Sequence, residues 1–526
     1  MKKELLFSGL IALATFTYAQ DKIAMKYAAT ITVADASAKL NVIASDAMEG
    51  RETGKPGANR AAAYIRSQFQ SFGLKGPVNG SYFQMLDLKE KVVTQRAIIA
   101  NGEPLVFLKD YYLIPGSFDN MKKTFKNFVF VGYGIASAQY DDLSNLNLEN
   151  KVAVVLAGEP MVDGRSLITG TDKMSDWTTS RNKKLLAIKA KNPAAIIMLS
   201  NNMDRIQSMK AYFDRPSLIL GEDKTGDILT INSSASAIDK LLSGTSKTVE
   251  GLSKEISESK KPVSFNFNAN LDVDLQSKLN PLEAKNVLGF LEGSDPKLKS
   301  EILVVTGHYD HLGVAKNGDV FNGADDDGSG TTGVLEIAEA FAQAKKEGHG
   351  PKRSILFMTV VGEEKGLLGS EWYSEHPVFP LKNTITDLNI DMIGRVGDLY
   401  KGKDDSLNYV YVIGSDKLAS SLRLINEANN KAYTHMTLDY KYDDPKDPNR
   451  FYYRSDHYNF AKYGIPIIFF FNGTHEDYHK VTDEVKKINF TLLVKRVQLV
   501  FYDAWTLANQ PQRPVVDRSN DMPNDR

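Results

Sequence analysis

The sequence contains no cysteine. Disulfides, a thiolate nucleophile and a cysteine-based metal site are therefore excluded. Any metal would have to be held by His, Asp and Glu, a set of ligands that zinc accepts. An excess of one charge is also missing: 64 Lys and Arg stand against 65 Asp and Glu, a formal net charge of -1. Such balance gives no reason to expect nucleic acid or an anionic membrane surface as a partner. After the N-terminal segment no apolar run is long enough to cross a bilayer, and the run at 465–471 has only the length of a strand. There is no G-x-S-x-G elbow and no Walker-type phosphate loop, so serine-hydrolase and P-loop NTPase chemistry find no support. Histidine is scarce: all eight lie between 308 and 479, and none falls in 101–275.

What is present describes a globular chain, 42% hydrophobic and 25% charged. Its 526 residues exceed one compact core and imply two or three domains. Lys2 and Lys3 precede an apolar run at 5–16, and Thr17-Tyr18-Ala19 offers a cleavage site before Gln20. This reads as a signal peptide over 1–19 and a periplasmic or secreted mature protein without stable membrane insertion. The alternative, a retained anchor helix, is opposed by the shortness of the run and by the lack of a stop-transfer cluster.

Helical spacing marks 36–43 and 61–72, the latter closed by Gly73 and preceded by a Gly-rich loop over 49–57. Residues 101–275 show short apolar runs at 128–131, 152–156, 195–199 and 217–220, which predicts a separate β-rich module. A Ser- and Lys-rich stretch at 234–258 is expected to carry a surface helix. From about 285 strands and helices alternate. The expected strands are 286–291, 302–306, 355–361, 387–391, 409–413 and 465–471; the expected helices are 331–344, 417–430 and 490–507. Continuous apolar strands are buried on both faces, so the pattern predicts an α/β sandwich with its ligands at the carboxyl ends of the strands.

Polar clusters fall at those ends. Gly307-His308-Tyr309-Asp310-His311 follows one strand, Glu363-Glu364 another, and Asp391 closes a third. Gly323-Ala324-Asp325-Asp326-Asp327-Gly328-Ser329-Gly330 precedes a helix, and His475-Glu476-Asp477-Tyr478-His479 follows the last strand. Singly, each reads equally as a solvated turn, a helix cap or surface charge. Together at strand ends they point to a metal, because charge beside buried strands is costly unless paired or bound. The last cluster spells H-E-x-x-H, which normally means one zinc on a helix. Here Asn472-Gly473-Thr474 marks a loop, and no His or Glu after Glu484 offers a third ligand.

In order along the chain, 304–313, 323–330, 361–364, 389–392 and 477–479 resemble the site motifs of the di-zinc exopeptidases of the bacterial aminopeptidase type, relatives of glutamate carboxypeptidase II. Residues 45–57 are similar to the N-terminal loop of that family, and Val131-Gly132-Tyr133-Gly134-Ile135 resembles part of the protease-associated (PA) domain inserted in some members. The resemblance implies a mixed-sheet αβα sandwich formed by 20–100 and 276–526, interrupted by a PA-like domain at 101–275. It implies two zinc ions: His308 and Asp391 on one, Glu364 and His479 on the other, and Asp326 bridging. Asp310 would orient His308 through its second nitrogen. Glu363 would be the general base, acting on a hydroxide held between the ions. Tyr478 and Arg454 resemble residues that contact oxyanion or substrate. The expected activity is that of an aminopeptidase acting on peptides with a free N-terminus. The rivals are a carboxypeptidase or dipeptidase of the same fold, and a non-catalytic binding protein.

Overall fold

The computed structural model describes residues 20–223 and 227–522; the expected signal peptide lies outside the described residues. Among the described residues no helix is long and apolar enough to cross a membrane. The chain divides into two units, Met1–Leu86 with Glu283–Arg526, and Asp87–Leu282. The inserted unit is therefore wider than the expected 101–275. Its rim strands Leu88–Ala100 and Phe265–Leu282 pair from Ala100↔Leu271 to Leu88↔Leu282. A boundary inside that ladder would strand its backbone donors and acceptors.

The first unit is built on one eight-stranded mixed sheet. Numbered within the unit, its strands are β1 Phe83–Met85, β2 Lys285–Leu291, β3 Ile302–His308, β4 Ser354–Val360, β5 Thr384–Ile390, β6 Tyr409–Ile413, β7 Thr437–Asp439 and β8 Ile467–Phe471. They lie in the order β1-β2-β4-β3-β5-β8-β6-β7. The central four, β4-β3-β5-β8, are mutually parallel, while β2 and β6 run against their inner neighbours. All residues of β3, β4 and β5 are buried; the apolar runs of β3 and β4 fit this directly, and in β5 the buried Asp387 and Asn389 are hydrogen-bonded to Thr306 and Ser455.

Side-chain parity shows how both faces are covered. Ile302 and Val304 share a core with Leu356, Met358, and Tyr373 and Phe460 from helices Leu368–Glu375 and His457–Ala461. Gly307 lies on the opposite face, where a Cβ would come within 3.2 Å of the backbone of Gly330. Glycine there lets the first turn of helix α1, Gly328–Lys346, close onto the strand. This helix begins earlier than the expected 331 because the Asp327 side chain caps it through Gly330 N–H. Val334, Leu335, Ala338 and Phe341 form its buried stripe.

The second unit is a nine-stranded sheet. Beside its antiparallel rim, Met121–Phe130, Val152–Val155, Ala195–Leu199 and Thr230–Ser233 run parallel. It is thus β-rich with α/β character, and helices Arg181–Lys189, Ala235–Leu242 and Val249–Ser259 belong to it. The last two replace the single surface helix expected at 234–258. Ser234 and Thr248 each cap a start, and Ile238, Leu241, Leu252 and Ile256 are buried in the core.

Candidate active site

The four parallel central strands end on one edge of the sheet, and each delivers a chemical group there. β3 ends at His308, and β5 leads directly into Asp391. After β4 the chain turns at Gly362, whose φ of +82° favours glycine, and Glu363 and Glu364 follow. β8 runs through Asn472–Thr474 into the turn that holds His479. Asp326 comes from the loop before α1.

These five expected ligands converge. His308 Nε2 lies 3.3 Å from Asp326 Oδ1 and 3.7 Å from Asp391 Oδ1. His479 Nε2 lies 3.1 Å from Asp326 Oδ2 and 3.2 Å from Glu364 Oε2. The two carboxylate oxygens of Asp326 therefore face different histidines, as a bridging ligand must. Ligand atoms about 2.0–2.2 Å from one tetrahedral ion sit roughly 3.3–3.6 Å from each other, close to these separations. His308 Nε2, Asp326 Oδ2 and Glu364 Oε1 are buried and make no hydrogen bond. Buried polar atoms are almost always satisfied, so a donor set left open at one point fits a bound cation. The donors that would hold a cation are His308 and Asp391 at one end and Glu364 and His479 at the other, with Asp326 between.

The neighbours of Asp326 are already engaged. Asp325 accepts from Gly394 N–H at 2.6 Å and lies 3.1 Å from His475 Nε2. Asp327 also lies near His308 and Asp391. Its oxygens, however, accept from the N–H groups of Gly330, Met392 and His308, at 2.8, 3.0 and 3.1 Å. The H-E-x-x-H stretch forms a turn rather than a helix, and His475 faces Asp325.

Asp310 departs from expectation. Its main-chain carbonyl, 3.1 Å from His308 Nδ1, orients the imidazole, while the nearest carboxylate oxygen lies at 3.7 Å. That carboxylate is drawn elsewhere, to Thr53 Oγ1 at 2.7 Å and the N–H of Glu363 at 3.2 Å. Glu363 Oε2 lies 3.8 Å from His308 Nε2, and Glu363 lines a small cleft with Asp326, Asp391, Phe451, Arg454 and Tyr478. Tyr478 stacks on His479, and Arg454 Nη2 donates to its hydroxyl at 3.2 Å.

The electrostatics follow from crowding. Burial pushes the Glu363 carboxyl well above its usual range, with Asp391 and Glu364 adding to the effect and His308 opposing it. Burial would likewise raise Asp326, but His308, His479 and His311 hold it well below the usual value. At His479 burial acts downward, yet Asp326 and Glu364 lift the imidazole to about 10. Burial pushes the Tyr478 phenol up.

Sequence reasoning passed over several participants. His311 Nδ1 comes within 2.7 Å of Glu364 Oε1; its place in the 307–311 cluster was the available signal. Ser455 donates to Asp391 Oδ2 at 2.6 Å and receives Asn389. Asp483 accepts the N–H groups of Asp325 and Asp326 at 3.0 and 3.1 Å. Neither carries a local pattern that announces it.

Comparison with known proteins places these motifs. Residues 286–503 match Peptidase family M28. A probable zinc metalloprotease of Pyrenophora tritici-repentis is 27% identical over 303 residues, 47% of this chain and 58% of that protein. Leucine aminopeptidase 1 of Penicillium rubens is 28% identical over 196 residues, 36% of this chain and 48% of that protein. The chain thus spans about half the length of these relatives. Among solved structures, an aminopeptidase from Aneurinibacillus sp. strain AM-1 aligns over 96% of this chain and 100% of its own, with a TM-score of 0.49 and 17% identity. Residues 286–503, the stretch that matches Peptidase family M28, contain all five converging ligands.

Proposed function

We propose that the protein is an exported, zinc-dependent aminopeptidase that hydrolyses the N-terminal peptide bond of peptides. One observation carries the reading: five ligand-type side chains converge, with Asp326 shared between two histidines and buried polar atoms left without hydrogen bonds. Zinc held there would polarise the scissile carbonyl and lower the pKa of water toward about 7. Glu363, raised by burial and lining the cleft, takes the proton of the attacking water and passes it to the leaving amine. The Tyr478 hydroxyl, paired with Arg454 on the cleft wall, is placed to donate to the oxyanion. Export rests on the lysines and apolar run before Gln20, and the PA-like reading of the inserted unit on 131–135.

The test is metal analysis of the purified protein with hydrolysis of aminoacyl p-nitroanilides. Two zinc ions per chain and release from free but not N-acetylated substrates are expected. A protein without bound metal, or one inert toward all free N-termini after zinc is restored, would overturn the proposal. A second reading, carboxypeptidase or dipeptidase, is favoured by Arg454 alone, a guanidinium on the cleft that suits a carboxylate. Cleavage of N-acetylated peptides, lost on C-terminal amidation, would select it.

A further inference from the structure

Arg51 is wholly buried, and its guanidinium hydrogen bonds run to main-chain carbonyls. Nε donates to Tyr309 O at 2.7 Å, Nη1 to Ile43 O at 3.0 Å and Asn322 O at 2.6 Å, and Nη2 to Gly323 O at 3.0 Å. Tyr309 adjoins His308, and Gly323 lies in the loop that carries Asp326. One planar fork therefore spans the two loops that meet at the bridging carboxylate.

The surrounding backbone reinforces the clamp. Gly313 N–H donates to Gly50 O at 2.9 Å, and His311 N–H to Arg51 O at 3.3 Å. A Cβ on Gly50, where φ is +60°, would sit 2.2 Å from Gly313 O, so only glycine permits this approach. Thr53 adds its bond to Asp310. Burying a cation is costly, and fixing two loops in one geometry is a use that lysine, a single point charge, cannot serve.

Building on the two-metal reading, we infer that Arg51 is a positioning residue: it fixes the separation of His308 and Asp326 and thereby sets how tightly the second divalent cation is held. Arg51→Lys keeps the charge and removes the fork. Metal-stripped wild type and R51K are titrated with Co²⁺, followed by visible absorption and by bound metal. The wild type should take up two ions, whereas R51K should hold the second at least about tenfold more weakly. In the zinc-loaded enzymes kcat should fall while KM stays within about twofold. An R51K titration that superimposes on a two-cobalt wild type removes the role of Arg51 alone. A wild type that binds no cobalt removes the metal reading and this inference with it. If R51K does not fold, amide exchange in the wild type decides. Cobalt loading should slow exchange at Met48 and Lys55 in the N-terminal loop, and unchanged rates there overturn the inference.

Discussion

Glu159 in the inserted unit and Glu364 in the other are both carboxylates taken out of water, with opposite surroundings. Glu159 is 4% exposed and accepts from the hydroxyls of Ser166, Ser175 and Thr178 and from Ser175 N–H. Burial would raise its pKa, but these donors hold it below the usual range. The Glu364 side chain is also 4% exposed, yet its Oε1 makes no hydrogen bond and its neighbours are Asp326, His311 and His479. A saturated carboxylate organises its loop and has nothing left to offer, whereas an open one beside other open groups is a binding site.

The largest expected effect separates chemistry from binding inside the open cluster. Glu363→Gln should lower kcat about 10²–10⁴-fold with zinc content unchanged, measured by turnover and metal analysis of the same preparation. Loss of metal in that variant would make Glu363 a ligand instead. Asp326→Asn should weaken the second metal by more than about a hundredfold, since even residues behind a ligand cost about 10–100-fold; competition with a chromophoric chelator measures it.

Glu159→Ala should destabilise the inserted unit by about 3 kcal/mol, because three hydroxyls lose a charged acceptor. Chemical denaturation reads this, and two zinc ions should remain bound. A change in metal content would break the contrast between the two carboxylates.

The last effect concerns a buried imidazole on the same unit as the open cluster. His457 is neutral, donating through Nε2 to Tyr452 O at 2.8 Å and stacking on Phe469, and burial pushes its pKa down to about 3. The unfolded chain, with a histidine pKa of about 6.5, binds more protons between these values. Stability should therefore fall as pH drops from about 6.5 toward 3, by up to about 1.4 kcal/mol per pH unit. Thermal melts between about pH 4.5 and 7.5 should show a slope that is shallower in His457→Leu.

Much of the strand framework was legible because strands buried on both faces write themselves as unbroken apolar runs: β6 fell at the expected 409–413, and β3 extended the expected run by two residues to include His308 itself. Element ends were less legible. α1 began early because capping by Asp327 is a side-chain event that hydrophobic periodicity does not record. The inserted unit was read too narrowly because its rim strands are half-exposed, and so lack the continuous apolar pattern.

The sequence by itself determined that metal chemistry, if present, rests on His, Asp and Glu, and that these residues stand at the carboxyl ends of strands. Covalent order suffices for that, since a strand end is a local event. Only the tertiary structure shows why the middle one of three consecutive aspartates, the one the resemblance singled out, stays open. Asp325 and Asp327 are consumed by the N–H groups of Gly394 and Met392, more than sixty positions away, leaving Asp326 to face two histidines. The same holds for Arg51, whose four acceptors come from three separate segments and share no pattern in sequence. Hydrogen bonds between distant backbone groups exist only after folding has brought them together.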